Sequence, residues 1–504
     1  MRPGPESPVN PGARLEFREA AAVVLIRGGG ASLEVFWVRR GERVSFMPGF
    51  HAFAGGTLLP EDEDLPIEGD ADGAGRVLRA CAIREAFEET GVLLGLEAPV
   101  PAAALSEPRS RLLAGEACFA ALARAHGWRF RAGALADGGR WQTPPFSAAR
   151  FDTAFFLARL PRDQQPSIRA GELESGEWIE SRHAIERWRR GEVTFAPPVL
   201  HTLRELEAGE EGLSGRLASA PARAVRPVRR IELKWGIVLH PMKTRPLPPA
   251  THTNAYLVGE SEMALIDPAS GDAEELRALF ELMDALGADG RRLKFVLMTH
   301  GHPDHAGGVA ALRERYRVPV AAHAEIAPGV AADIALGDGE TIALAPGVGA
   351  WDLRAIHTPG HARGHLCFLN ERTRSLFTGD HILGGAGTAI IDPPEGDMAA
   401  HLASLERLLA EPVETLFPGH GSPQGAAVRR IRALIAHRRG REAKVLAALE
   451  REPLALTALV ERVYADTPRD LWSLAGRSLL AHLLKLEAEG RARREGDRWR
   501  EGGS

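Results

Sequence analysis

The chain of 504 residues exceeds one ordinary domain, and 44% apolar with 26% charged residues suits a globular protein rather than a disordered one. A formal net charge of −5 argues against a whole-chain polyanion binder, and the three scattered cysteines form neither a disulfide framework nor a CxxC metal pair. No apolar run reaches the roughly 18–20 residues that span a bilayer and no signal peptide is visible, so cytoplasmic residence without a membrane partner is expected.

The first informative stretch is ACAIREAFEETGVLL (80–94). As a helix it places Glu85, Glu88 and Glu89 on one side at i, i+3 and i+4, with Leu78, Ala82 and Ala86 on another face, and Gly91 stops it. Stacked carboxylates repel by a few tenths of a kcal/mol per pair. They suit either a solvated acidic face or a hard cation, Mg2+ or Mn2+, that also bridges to phosphate.

REAFEETGV resembles the second half of the Nudix box, and FAGG (53–56) its glycine entry. Between them the acidic loop TLLPEDEDLPIEGDADGAG replaces the family's short spacer, so the glutamate expected after the glycines falls on Glu61 or Glu63. A lengthened box is similar to that of the Nudix coenzyme A diphosphatases, as are RGERVSFMPGFHAFAGG and RFDTAFFLARL (150–160). This resemblance spans about 18–207. It implies an α/β/α sandwich, metal on Glu85, Glu88 and Glu89 with Glu88 catalytic, and hydrolysis of a small nucleotide such as coenzyme A. Glu172, six residues before Trp178, matches a further family glutamate that could act as base or ligand, or it is an ordinary surface residue.

Residues 209–230, rich in Gly, Ala, Pro and Arg without a sustained apolar period, are expected to be a linker closing a domain over 1–208. A second domain then covers 231–425. Its strand-like LKFVLM leads into THGHPDH (299–305), and AGGVAALRERY (306–316) begins a helix. Three more apolar strands run into loops of the same kind: WDLRAI into HTPGH, RSLF into TGD, and ETLF into PGHG. Ligands at the carboxyl ends of several strands converge on one rim of an α/β structure.

Together these loops offer His300, His302, Asp304, His305, His361, Asp380 and His420. Five imidazoles and two carboxylates suit two Zn2+ ions with one carboxylate bridging, an arrangement that generates a nucleophile from water at neutral pH. Taken alone, Asp304 could equally be the N-cap of the following helix.

THGHPDHAGG, HTPGHARGH, FTGDHIL and FPGHG resemble the metallo-β-lactamase superfamily over about 250–425, with HTNAYLVGESEMALIDPAS similar to its opening strands, Asp267 included. The resemblance implies an αββα sandwich, one metal on His300, His302 and His361, a second on Asp304, His305 and His420, and Asp380 bridging. Asp304 and Asp380 are then the catalytic carboxylates, His357 is a non-ligand histidine, and His365 and His381 are candidates for substrate contact.

Residues 426–504 turn basic. A helix over VRRIRALIAHRRGREAKVLAALE precedes LALTALVERVY, LWSLAGRSLLAHLLKLEAEG and a two-strand wing turning at EGD. This small winged-helix pattern carries Arg477, Arg491, Arg493, Arg494, Arg498 and Arg500, and could grip phosphates or serve as a packing module. From 231 onward the chain resembles the lactamase-like endoribonuclease of mitochondria and bacteria, which implies single-stranded RNA as substrate. The alternatives are a glyoxalase-II-like or acyl-coenzyme A thioesterase, with the first domain a coenzyme A diphosphatase or an inactive binding module. A bifunctional metal-dependent hydrolase of multidomain α/β fold is the expectation.

Overall fold

The computed structural model describes residues 17–502 apart from 70–71, 145, 148, 220–229, 249, 327–328, 345–350 and 386. It divides into two compact units, residues 1–235 and 236–504.

In the first unit the strand Arg18–Arg27 is buried on both faces, and its alternation assigns each face to a different core. Ala21, Val23 and Leu25 join the core beneath the helix Gly73–Thr90. Ala22, Val24 and Ile26 join the core formed with the helices Ser181–Arg189 and Pro197–Glu207. The same strand pairs antiparallel with Glu34–Arg40 and Ala54–Thr57 and parallel with Phe151–Arg159. A sheet covered by helices on both faces is the expected α/β/α sandwich.

The linker expectation is corrected here. Residues Leu213–Ala218 form a helix whose Leu213 and Leu217 are fully buried in the second core. Two leucines four apart on one face were too short a period to stand out from the sequence. Residues 220–229 of the expected linker lie outside the described residues.

The second unit stacks two sheets. Strands Ile237–Lys243, His252–Gly259 and Glu262–Ile266 are antiparallel, and Arg292–Leu297 and Val320–Ala322 continue the sheet in parallel. The other sheet pairs Leu353–His357, Leu366–Asn370 and Ser375–Gly379 antiparallel, then Thr415–Pro418 in parallel. Tyr256 of the first sheet meets Phe377 and Phe417 of the second edge to face, with ring centroids 5.2 and 5.7 Å apart. Helices Ala273–Ala288 and Val309–Tyr316 cover one outer face, and Met398–Leu408 and Ala427–Ala448 the other, which completes an αββα sandwich.

The C-terminal helices Leu456–Val463 and Trp472–Ala488 and the ribbon Ala492–Glu495 and Arg498–Glu501 form the expected small winged helix around Leu459, Leu479, Leu483 and Trp499. Gly496, at φ +65°, makes the turn of the wing.

Candidate active sites

In the second unit all four predicted strand ends deliver their loops to one place. His302 Nδ1 lies 3.0 Å from His300 Nε2 and 3.1 Å from His361 Nε2. The outer nitrogens are tied elsewhere: His300 Nδ1 is 3.0 Å from Thr299 Oγ1, His361 Nδ1 is 2.9 Å from the Ile390 carbonyl, and His302 Nε2 is 3.5 Å from the Glu395 carboxylate. A donor proton committed outward leaves a lone pair inward, which is how ligating imidazoles are oriented. Burial, then repulsion from His305, holds His300 well below its ordinary pKa, and burial lowers His361 against the pull of Asp380. Both shifts favour the neutral form of the ring, the form that ligates a metal.

A second group stands beside the first. His305 Nε2 is 3.4 Å from His420 Nε2, and Asp304 Oδ2 is 3.3 Å from that same His420 nitrogen. Asp380 spans the two groups: its Oδ1 is 3.3 Å from His305 Nε2, and its Oδ2 lies 3.3 Å from His420 Nε2 and 3.8 Å from His361 Nε2. His305 Nδ1 is held 2.8 Å from Asp267 Oδ2, and His420 Nδ1 2.8 Å from the His252 carbonyl. Asp267 is itself fixed by hydrogen bonds from the Thr299 amide and hydroxyl, at 2.8 and 2.6 Å, and sits at φ +51°. That left-handed conformation is unusual for a residue other than glycine, and the three contacts hold it in place.

Two glycines make the convergence sterically feasible. A Cβ on Gly419 would stand 2.6 Å from His305 Cε1 and 2.8 Å from Asp380 Oδ1. One on Gly379 would stand 2.5 Å from Thr299 Oγ1.

The donor set fits divalent ions. His300, His302 and His361 form one group of three donor atoms within 4.8 Å of one another, and Asp304, His305 and His420 another. Asp380 Oδ1 is buried without a hydrogen-bond partner. Burial opposes ionisation of Asp380, yet His420 and His305 together hold its carboxyl well below the usual range. Burial likewise disfavours charged His305 and His420, but Asp380 first, with Asp267 for the one and Asp304 for the other, raises both, His420 to about 9.

Other expectations resolve separately. Asp304 is no N-cap: it lies inside the short helix Pro303–Ala306, whose N-cap is His302. His357 stays outside the cluster, with Nε2 2.8 Å from the Arg363 carbonyl and its ring stacked on His323. His365 and His381 are closed off from solvent, so the expected substrate contact is not available to either. Glu395 and Ile390 were missed, because a carbonyl and a loop glutamate in TAIIDPPEGD carry no recognisable spacing.

In the first unit the glycine entry does meet the helix. Glu89 Oε2 accepts the Gly55 amide at 2.8 Å, and a Cβ on Gly56 would lie 2.4 Å from Glu85 Oε1. Buried Arg84 grips Asp62 through two bonds of 2.7 and 2.9 Å and Glu85 at 2.7 Å, and lies 3.6 Å from Glu88. The loop acid that pairs with Arg84 is therefore Asp62, outside the expected choice of Glu61 or Glu63, while the charge of Glu61 adds to the upward shift of Glu88. Glu61 also accepts the Ala120 amide at 3.2 Å. A buried arginine needs a carboxylate, which was the one available signal.

The solvated-face alternative is overturned: Glu85 is buried, and Glu88 and Glu89 are half-buried. Burial raises all three, Glu85 to about 7 against the pull of Arg84, and Glu89 well above its usual value with help from Glu85. Glu172 is exposed, and its charge adds to the upward shift of Glu85 and Glu89. Among the described residues, the groups of three donor atoms within 4.8 Å all lie in the second unit, so these glutamates form a looser acidic cluster.

Comparison with known proteins follows the same division. The family model of the metallo-beta-lactamase superfamily matches residues 248–420, that of the beta-lactamase associated winged helix domain 456–499, and that of the NUDT19 Nudix domain 61–206. A beta-lactamase-like protein 2 homolog of Drosophila melanogaster is 34% identical over 255 residues, covering 48% of this chain and 84% of the relative. An atrochrysone carboxyl ACP thioesterase of Claviceps purpurea is 31% identical over 230 residues, covering 43% of this chain and 67% of the relative. A NUDIX hydrolase structure from Alicyclobacillus acidocaldarius aligns at 31% identity with a TM-score of 0.37, covering 42% of this chain and all of its own.

Proposed function

This chain belongs to the metallo-beta-lactamase superfamily and carries a Nudix domain ahead of that fold, and on that footing we propose a hydrolase with two sites for coenzyme A-type compounds. The second unit would hydrolyse a thioester of a pantetheine-bearing carrier. The first would hydrolyse a diphosphate such as that of coenzyme A.

The observation that supports the thioester reading is the likeness to a carboxyl ACP thioesterase over 230 residues. His300, His302 and His361 would hold one Zn2+, Asp304, His305 and His420 the other, and Asp380 would be shared. Ions held there supply Lewis acidity and lower the pKa of water. Asp267 and the His252 carbonyl keep His305 and His420 in the ligating orientation. Asp304, half-buried beside His420, would be the candidate to take a proton from entering water.

In the first unit Glu85, Glu88 and Glu89 would hold Mg2+ or Mn2+. Glu88 is the most exposed member of the Arg84 network and Glu172 faces solvent, so either can receive a proton from water attacking phosphorus.

RNA remains a second reading, favoured by the exposed wing arginines Arg493, Arg494 and Arg498. It is weakened by the acids that engage their neighbours: Arg477 pairs with Asp392, Arg491 with Glu489 and Arg500 with Glu495.

The deciding experiment incubates wild type, Asp304→Ala and Glu88→Gln with an acyl-coenzyme A, a glutathione thioester and single-stranded RNA. Acyl-coenzyme A thioester cleavage lost in Asp304→Ala, with RNA intact, is expected. Asp304-dependent cutting of RNA with thioesters intact would replace this reading by the ribonuclease one.

A further inference from the structure

Between the strand Ser375–Gly379 and the helix Met398–Leu408 the chain passes the three-histidine group as an irregular strap, residues 387–397. Its inner side serves that group: the Ile390 carbonyl takes His361 Nδ1 at 2.9 Å, and Glu395 lies 3.5 Å from His302 Nε2. Its outer side is held from the C-terminal region. Arg438, on the helix Ala427–Ala448, donates to the Ala389 carbonyl, and Arg430 on the same helix donates to Gly387. Arg477, on the helix Trp472–Ala488, reaches Asp392 at 3.1 Å. Ile391 packs in one core with Ile431, Leu434, Ile435 and Ala481 of these two helices.

Arg438 is the unusual member. It is 3% exposed, its Nε has no hydrogen-bond partner, and among the described residues it forms no ion pair. An unpaired buried guanidinium opposes folding by several kcal/mol on general grounds, and an aliphatic side chain would pack there at less cost. What it provides is a fixed donor to the peptide group next to Ile390.

We propose that Arg438 is a positioning residue for the His300, His302 and His361 group, seconded by Arg477, and that it acts through the strap. Holding Ala389 fixes the Ile390 carbonyl that sets the tautomer and tilt of His361. Holding Asp392 keeps Glu395 within reach of His302. The inference rests on the metal-binding reading above.

The test strips the full-length chain of ions with a chelator and titrates it with Zn2+ against a chromogenic competitor, and with Co2+ while recording the visible spectrum. Wild type is expected to take up two equivalents. Arg438→Met should weaken one of them by about 10-fold, the scale of losing an outer partner of a ligand, and shift the Co2+ bands of that equivalent alone. Arg438→Lys, which keeps a donor, should recover part of the loss. Glu395→Gln and Arg477→Ala, both at exposed positions, should weaken the same equivalent and carry the test should Arg438→Met fail to fold.

Wild-type affinity for both equivalents in these variants would overturn the proposal. So would equal weakening of both equivalents together with a lower melting temperature, the mark of general destabilisation. A wild type that takes up no divalent ion would instead remove the metal reading itself.

Discussion

Single residues decide whether the two clusters can exist. In the second unit Gly419 faces the cluster directly, because any side chain there meets His305 and Asp380 at once. Gly419→Ala should abolish uptake of at least one Zn2+ equivalent while the protein still unfolds cooperatively, as read by metal titration beside a thermal melt. In the first unit the buried glutamates set a pH dependence. Burial carries Glu85 from 4.5 to about 7 in the folded state, so its contribution to stability falls as pH rises through that window. A divalent cation that neutralises the cluster offsets this loss. Added Mg2+ should therefore raise the melting temperature of the first unit more at pH 8 than at pH 5, and Glu89→Gln should shrink the difference. An equal shift at both pH values would disprove the cation assignment.

At the scale of elements, most secondary structure was legible because its period was clean. The helix Gly73–Thr90, with Gly91 at φ +76° closing it, and the strand ends bearing His300, His361, Asp380 and His420 lie where the apolar patterns place them. The helix Leu213–Ala218 was not legible, since six residues within a Gly- and Ala-rich stretch hold too little period. Leu217 is fully buried, and Leu217→Ala should destabilise the first unit by about 2–5 kcal/mol. Denaturant melts would show no change if the segment were a loose linker.

The winged helix is fastened by a different device. Glu442 of the helix Ala427–Ala448 lies 3.7 Å from His482 and 2.9 Å from Lys485, both on the helix Trp472–Ala488, and these partners bring its carboxyl from 4.5 down to about 2. A depressed acid stabilises above its unfolded value and loses that contribution as pH falls towards the folded one. Acid melts of Glu442→Gln should therefore lose the wild-type decline between pH 4.5 and 2.

For the whole molecule, the two clusters belong to separate compact units with separate cores. Substitutions in independent sites combine almost additively, within about 0.3–0.5 kcal/mol. Asp304→Ala should accordingly leave diphosphate hydrolysis within about twofold of wild type, and Glu88→Gln should do the same for thioester hydrolysis. A large cross-effect in paired assays would reveal coupling between the sites. Among the described residues no helix is long and apolar enough to cross a membrane.

The sequence by itself determined the two folds and pointed to many of the side chains gathered in the two clusters, because ligand types at strand ends and glutamates at helical spacing are local patterns. Tertiary structure alone decided their surroundings. Buried Arg84 pairs with Asp62, an acid outside the expected choice of Glu61 or Glu63 after the glycines, since only folding shows which acid of a run reaches a buried cation. His365 and His381 proved sealed from solvent, because burial depends on every layer packed around a residue. The contacts from Arg438 to Ala389 and from Ile390 to His361 join segments 49 and 29 positions apart in the chain, and no sequence period encodes such a meeting.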